Sequence, residues 1–293
     1  MNILLTGSSG FIGSKLAKNL LDNQFNLLTI SKKKNIKVST NHLFVDLNNF
    51  ARSKKKIKNF NPDIVIHLAW QSLPDYSFNI QMINLEISTL FFEFITNETK
   101  CKKIIVAGSC WEYGKYKGAC IESKDNFTNS YFSWAKKSLY EYLNFICKKN
   151  LIDLIWLRIF FVYGPNQRSS SLVPNIANLL LSKKDIYLNN PYNRHDFIYI
   201  DDVVDAFTNI IDLKLKSGIY NIGTGKTYSV LKIAKILNYK INGNKVLKYK
   251  TNQNKQNMDR NNFWADINKS RKIFKNINLI DIEEGIQKYL ENL

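Results

Sequence analysis

Short apolar runs alternate with longer amphipathic stretches along the first half of the chain. Residues 2–6, 26–31, 42–45, 63–68, 103–107 and 153–159 read as strands. Residues 11–21, a polar stretch from about 47, residues 78–96 and residues 131–149 read as helices. Ile64-Val65-Ile66 and Ile104-Ile105-Val106 are apolar at every position, as expected of parallel strands covered on both faces. Strand and helix alternating in this way predict an α/β fold built on a parallel sheet.

The pattern loosens after Gly164-Pro165 into a mixed region. Strands are expected at 185–188, 197–200 and 219–222, and helices at 172–181, 203–211, 230–237, 267–274 and 282–290. This divides the chain into residues 1–165 and 166–293, with chain exchange between the two parts allowed for. No Pro/Gly/Ser-rich linker separates them, and there is no internal repeat.

Helix 78–96 is apolar almost all round: Ile80, Met82, Ile83, Leu85, Ile87, Leu90, Phe91, Phe92, Phe94 and Ile95 lie on it. A helix covering a sheet needs one apolar face, so a second buried face is expected. Helix 131–149 carries Tyr140, Tyr142, Leu143, Phe145 and Ile146 in the same role. These faces predict a homodimer, the alternative being that the C-terminal region covers them.

Charge changes the picture less than its size suggests. The 42 Lys and Arg against 24 Asp and Glu give a net +18, which raises nucleic-acid binding as a possibility. The runs Lys32-Lys33-Lys34 and Lys54-Lys55-Lys56 fall after a strand and on a solvated helix face, in a chain rich in Asn, Ile and Lys throughout. No specific nucleic acid is expected. Cys101, Cys110, Cys120 and Cys147 are irregularly spaced, and only three histidines are present, so neither a disulfide framework nor a metal site is expected. No apolar run approaches the roughly 20 residues of a membrane span. Nor does the start resemble a secretory signal, and a cytoplasmic protein is expected.

The most informative stretch is Gly7-Ser8-Ser9-Gly10-Phe11-Ile12-Gly13, placed between the first strand and the first helix. Gly7 permits a sharp turn, Gly10 lets backbone approach a pyrophosphate, and Gly13 lets the helix pack closely. The helix N-terminus offers free N–H donors to the phosphates. An NAD site normally has Asp or Glu about 20 residues past the glycines to hold the ribose hydroxyls. Here Thr29-Ile30-Ser31-Lys32 stands instead. A hydroxyl and a lysine favour the extra phosphate of NADP(H), with NAD(H) still possible.

The form Thr6-Gly7-x-x-Gly10-Phe11-Ile12-Gly13 resembles the extended short-chain dehydrogenase/reductases, which include NDP-sugar epimerases, dehydratases and reductases. Further motifs in the same order extend the resemblance over nearly the whole chain: Asp46-Leu47, His67-Leu68-Ala69, Asn84, Leu157-Arg158 to Gly164-Pro165, His195 to Val203, Tyr220 to Gly223, and Trp264-Ala265-Asp266. It implies a Rossmann-type sheet with helices on both faces and a smaller sugar-nucleotide region. It also implies dimers made by pairing two helices from each subunit. Gly7, Ser9, Gly10, Phe11, Ile12, Gly13, Ser31, Lys32, Asp46, Leu47, Leu68, Ala69 and Lys136 become candidate cofactor-binding residues, with Asp46-Leu47 at the adenine.

The same resemblance implies a hydroxyl at Ser109, a lysine at Lys136 and, four residues before it, a tyrosine acting as general acid or base. A phenol near pKa 10 needs a neighbouring cation to work at neutral pH. This chain has Phe132 there, in Tyr131-Phe132-Ser133-Trp134-Ala135-Lys136. Three readings stay open: a Tyr→Phe change that stalls turnover, Tyr131 substituting through a shifted register, and a non-catalytic dinucleotide-binding sensor. The 4,6-dehydratases of the family carry Asp-Glu where Cys110 and Trp111 stand, so the resemblance points away from dehydration. It points toward NADPH-dependent reduction of the C4 keto group of a nucleotide-linked 4-keto-6-deoxy sugar, with an NAD-dependent 4-epimerase as the alternative. Trp70, Ser109, Cys110, Trp111, Arg194 and His195 are candidate substrate-binding residues. His195 stands where an arginine usually binds the nucleotide phosphates.

Overall fold

The computed structural model describes residues 1–32, 41–124, 127–251 and 262–293. The chain forms two compact units. One comprises residues 1–114, 125–159 and 204–220; the other comprises 115–124, 160–203 and 221–293.

The elements run in chain order from β1 (Asn2–Thr6), α1 (Phe11–Asp22), β2 (Asn26–Ser31) and β3 (His42–Phe44) to a 3₁₀ turn (Leu47–Ser53) and α2 (Lys54–Phe60). Next come β4 (Ile64–His67), α3 (Phe78–Glu98), β5 (Lys103–Ser109), a 3₁₀ turn (Cys110–Tyr113), β6 (Gly118–Cys120), α4 (Tyr131–Lys149) and β7 (Asp153–Ile159). They are followed by β8 (Phe161–Tyr163), α5 (Leu172–Leu181), β9 (Arg194–His195), β10 (Phe197–Tyr199), α6 (Ile200–Asp212) and β11 (Gly218–Ile222). The last are β12 (Tyr228–Ser229), α7 (Val230–Asn242), β13 (Asn262–Ala265), a 3₁₀ turn (Lys269–Lys272) and α8 (Ile282–Glu291).

Seven strands form one sheet in the order β11-β7-β5-β4-β1-β2-β3. The pairs from β3 to β7 are parallel. The order reverses at β1, whose neighbours β2 and β4 lead to opposite edges, so ligands are expected beyond the strand C-termini here. Alternate strand residues face one side: Leu4, Leu28, Val65, Ile104, Leu154 and Trp156 bury against Phe91, Phe92 and Ile95 of α3 and Leu139 and Leu143 of α4. Ile3, Leu5, Ile66 and Ile105 alternate with these and are equally buried. The fold class is the one expected: a Rossmann-like parallel sheet with flanking helices and a smaller mixed sheet.

In the second unit β12-β9-β13-β6 form a four-stranded sheet and β10-β8 a parallel pair. Two expectations fail here. Residues 185–188 make no strand, only a bridge between Tyr187 and Lys250. The helix expected over 267–274 shrinks to the 3₁₀ turn Lys269–Lys272. Its preceding residue, Asn268, instead turns back onto Asp266, donating its backbone N–H to Oδ1 at 2.9 Å. Such local bonds compete with helix.

All four cysteines are free and buried. Among the described residues no helix is long and apolar enough to cross a membrane, and no group of side chains could hold a metal ion.

Candidate active site

Gly7 leaves β1 at φ +74°, a conformation that favours glycine. A Cβ there would stand 2.8 Å from the Ala69 backbone nitrogen. At Gly13 a Cβ would fall 2.1 Å from the Gly7 carbonyl oxygen. Backbone therefore lies against backbone on both sides of the turn, which is closed by Gly10 N–H donating to Gly7 O at 2.9 Å. Gly10 caps α1 without a side-chain bond, and the first turn holds no carboxylate. The helix end thus presents N–H donors and partial positive charge with no internal anion to meet them. Ser8 Oγ is buried in the same turn without a hydrogen-bond partner among the described residues. This cradle fits the pyrophosphate of a dinucleotide.

The cofactor-side candidates surround it. Ser9, Phe11 and Ile12 are half-buried in the turn, and Leu68 and Ala69 form the half-buried exit of β4 beside Gly7. Thr6 Oγ1 lies 2.9 Å from His67 Nδ1 and fixes that exit from below. Asn84 pins the next residues, accepting Gln71 N–H at 2.7 Å. At the end of β2, Ser31 is buried, and Lys32 Nζ pairs with Asp46 at 2.8 Å and with Gln71 Oε1. Asp46 also accepts Asn48 N–H at 3.0 Å, which starts the turn at Leu47. Lys33 and Lys34, the rest of that basic run, lie outside the described residues.

Ser109 ends β5. Its N–H donates to Glu112 Oε1 at 2.7 Å, and its Oγ accepts Trp111 N–H at 3.2 Å. Cys110 is buried and Trp111 exposed. Phe132 and Lys136 are spaced i, i+4 in the first turns of α4, so they share a face. Lys136 is 4% exposed; its Nζ donates to Ala107 O at 2.8 Å and sits 3.8 Å from the centroid of the Trp70 ring. The Trp70 indole N–H donates to Gln81 Oε1 at 2.9 Å, and its ring meets Phe132 edge-on at 6.0 Å. Tyr76 meets the Phe132 ring at 5.5 Å. Tyr131 is 55% exposed and packs on Phe78. An exposed ring packed on Phe78 lends no support to the shifted-register reading.

Burial lowers the Lys136 pKa to about 7, against the opposing pull of the Glu112 carboxylate. Burial also lowers His67, to about 3, with the Lys136 charge adding to the effect. Trp70, Ser109, Phe132 and Lys136 are thus held in the first unit, with Cys110 and Trp111 following Ser109.

Arg194 and His195 belong to the second unit. Arg194 is exposed and binds Thr227, through Nε to Oγ1 at 3.0 Å and Nη2 to the carbonyl at 2.7 Å. His195 is buried against the Phe161 ring at 4.2 Å, and its Nδ1 has no hydrogen-bond partner among the described residues. Between them and Phe197 the buried Asp196 is committed to structure. It accepts from Thr224 N–H, Thr224 Oγ1 and Gly225 N–H at 2.8, 2.6 and 2.8 Å, and from Ala265 N–H at 3.1 Å.

Three contributors were not expected from the sequence. Gln81 and Tyr76 act through Trp70 and Phe132 across a loop whose course no local pattern encodes. Glu112 is wholly buried and holds the Ser109 turn; its place directly before Tyr113-Gly114 in a strand-end motif was the available signal.

The family model described as "NAD dependent epimerase/dehydratase family" matches residues 3–223. The chain is 26% identical to dTDP-4-dehydro-6-deoxyglucose reductase of Escherichia coli, covering 99% of this chain and 97% of that one. It is also 26% identical to ADP-L-glycero-D-manno-heptose-6-epimerase of Brachyspira hyodysenteriae, with the same coverage of 99% and 97%. Among solved structures, UDP-glucuronic acid 4-epimerase from Bacillus cereus, in complex with UDP-glucuronic acid and NAD, superposes with a TM-score of 0.86 at 23% identity, over 100% of this chain and 98% of that one.

Proposed function

The chain belongs to the NAD dependent epimerase/dehydratase family, and from that membership we propose that it reduces the C4 keto group of a nucleotide-linked 4-keto-6-deoxy sugar with NADPH. The observation that carries this reading is the pair of residues after Ser109. Dehydration across C5 and C6 needs one group to take a proton and another to expel a hydroxyl. A buried thiol at Cys110 and an indole at Trp111 offer neither. Beyond a hydride from the dinucleotide, reduction needs only an aligned carbonyl and a proton, and Ser109 can align the oxygen.

Gly7, Gly10 and Gly13 with the start of α1 would hold the pyrophosphate, Lys136 the nicotinamide ribose, and Asp46-Leu47 the adenine side. When bound, the dinucleotide supplies a hydride. β2 itself ends without a carboxylate, and Ser31 and Lys32 suit a 2′-phosphate that displaces Asp46 from the Lys32 ammonium. Trp70 and Trp111 would wall the sugar; Arg194 and His195 are the second unit's candidates for a nucleotide. Phe132 contributes ring packing and no proton.

The exposed faces of α3 and α4 support a homodimer: Phe78, Met82, Ile83 and Leu90 on one helix, Tyr131, Trp134 and Phe145 on the other. Cytoplasmic residence and a place in deoxysugar or polysaccharide biosynthesis follow from the same reading.

Loss of NADPH absorbance on adding a 4-keto-6-deoxy sugar nucleotide, with the 4-hydroxy sugar as product, tests the proposal. A nucleotide-sugar epimerase is the second reading, favoured by the equal identity to the heptose epimerase. NAD that stays with the protein through gel filtration, and no net NADPH consumption, would select it.

A further inference from the structure

Position 132 lacks the atom that would carry a proton, yet the surroundings of Lys136 are built, not vacated. Trp70 presents its ring face to the Lys136 ammonium at 3.8 Å, is fastened by Gln81, and closes edge-on against Phe132. Tyr76 closes the other side of Phe132. A cation facing an indole is stabilised by the ring quadrupole but faces no counter-anion there. The carboxylate that acts on it, Glu112, is already engaged by Arg158 Nε at 3.0 Å, Trp156 Nε1 at 3.0 Å and Ser109 N–H at 2.7 Å. His67 lies on the sheet side, kept neutral by burial. An ammonium so desolvated gives up its proton readily, and the Lys136 pKa of about 7 places it where a general acid is most effective near neutral pH.

Of three N–H donors on the ammonium, one is spent on Ala107 O. Ala107, whose carbonyl anchors the ammonium, stands two residues before Ser109 at the end of β5. A carbonyl oxygen aligned by Ser109 therefore comes to the end of β5 that Lys136 reaches.

We infer that Lys136 is the catalytic acid of this chain: it donates the proton to the substrate's C4 oxygen, the task that a phenol at position 132 would otherwise perform. This rests on the reductase reading above. The lysine N–H bond breaks and an O–H bond forms at the C4 oxygen as the carbonyl carbon receives the hydride. The ketone is reduced to an alcohol, NADPH is oxidised to NADP⁺, and the neutral amine regains a proton from water.

The test is the pH dependence of turnover for the unaltered chain, Phe132→Tyr and Tyr76→Phe, with NADPH and a 4-keto-6-deoxy sugar nucleotide. A parallel titration of the Lys136 Cε resonance uses isotope-labelled lysine, assigned with Lys136→Arg. The unaltered chain should turn over below about pH 7 and lose roughly tenfold per pH unit above it, as the acid is consumed. Tyr76→Phe should leave that limb in place, and Phe132→Tyr should move it to higher pH by supplying a phenol. Turnover seen only in Phe132→Tyr would overturn the inference while sustaining the reductase reading, as would loss of the limb in Tyr76→Phe. If no version reduces any 4-keto sugar nucleotide, the reductase reading fails by itself and the titration decides for the lysine. A midpoint near 7 upholds an acidic Lys136, and a midpoint near the ordinary value of about 10.4 overturns it.

Discussion

Glu112 and Arg158 form a buried ion pair at the root of the Ser109 turn, with Arg158 Nε 3.0 Å from Glu112 Oε2 and both side chains at most 5% exposed. The carboxylate also accepts the Trp156 indole N–H and the Ser109 backbone N–H, while the guanidinium lies 4.4 Å over the Tyr113 ring. Removing one partner leaves the other charge desolvated and unpaired, which costs about 3–5 kcal/mol. Glu112→Ala should lose stability on that scale in urea unfolding. Arg158→Met should do the same, and the double variant should lose less than the sum. Losses below about 1 kcal/mol would mean that the pair behaves like a solvent-exposed one.

The turn after β1 permits a sharper test. A methyl group at Gly13 would collide with the Gly7 carbonyl, 2.1 Å away, and neither neighbour is a flexible side chain. Gly13→Ala should therefore push α1 off the sheet and weaken NADPH binding at least ~10-fold, since the phosphates are held by that helix end. Fluorescence titration of NADPH reads the loss. Unchanged affinity would show that the pyrophosphate is not seated at this turn.

The first unit was legible because its strands are long and apolar and its helices longer still. β1, β2, α4 and β7 run where the hydrophobic pattern places them, and the glycine turn falls between β1 and α1 as its spacing requires. The second unit was read less well for a physical reason. β6, β9 and β12 are two or three residues long, too short for any period to show. β6 is defined by pairing with β13, at Gly118↔Phe263, across about half the chain. At the site, the types of Ser109, Phe132 and Lys136 could be read in sequence. The aromatic enclosure of Lys136 could not, because Trp70, Tyr76 and Gln81 converge only once the loop after β4 has folded.

Cofactor choice turns on Ser31 and Lys32. With no carboxylate at the end of β2, the unaltered chain should bind NADPH more tightly than NADH, by about tenfold or more for one charge-assisted contact worth about 1.5–3 kcal/mol. Ser31→Asp with Lys32→Ala should reverse the order by repelling the 2′-phosphate. Isothermal titration of both dinucleotides checks it, and equal affinities in the unaltered chain would remove the case for NADP(H).

Acid should destabilise the protein through two buried histidines. Burial lowers His67 to about 3, aided by Lys136, and lowers His195 to about 4. In the unfolded chain both titrate near 6.5, so between that value and the folded values the unfolded state binds more protons. Their contribution to stability is complete above about pH 6.5 and is lost as pH falls towards 4 for His195 and 3 for His67. Melting temperature should drop over that window. His195→Phe, which keeps an aromatic ring against Phe161, should flatten the upper part of the drop. An unchanged slope in that variant would mean that His195 titrates alike in both states.

Assembly is the last expectation. Phe78, Met82 and Leu90 recur at multiples of four along α3, and Phe145 of α4 is 68% exposed. The two helices pack side by side, so their exposed apolar residues form one surface of the kind that marks an interaction site in a soluble protein. A self-complementary patch of this sort closes with two-fold symmetry, each copy presenting α3 and α4 to the other. Light scattering at micromolar concentration should therefore give twice the chain mass of 34.1 kDa. Leu90→Lys should release monomers, because it would carry a charge into an apolar contact, a desolvation cost that Glu86, four residues earlier on the same helix face, offsets only in part. Val246→Lys is the control: Val246 is 85% exposed and belongs to the second unit, so the dimer should persist. A single 34.1 kDa species in the unaltered chain would mean that these faces stay open to solvent or serve another partner.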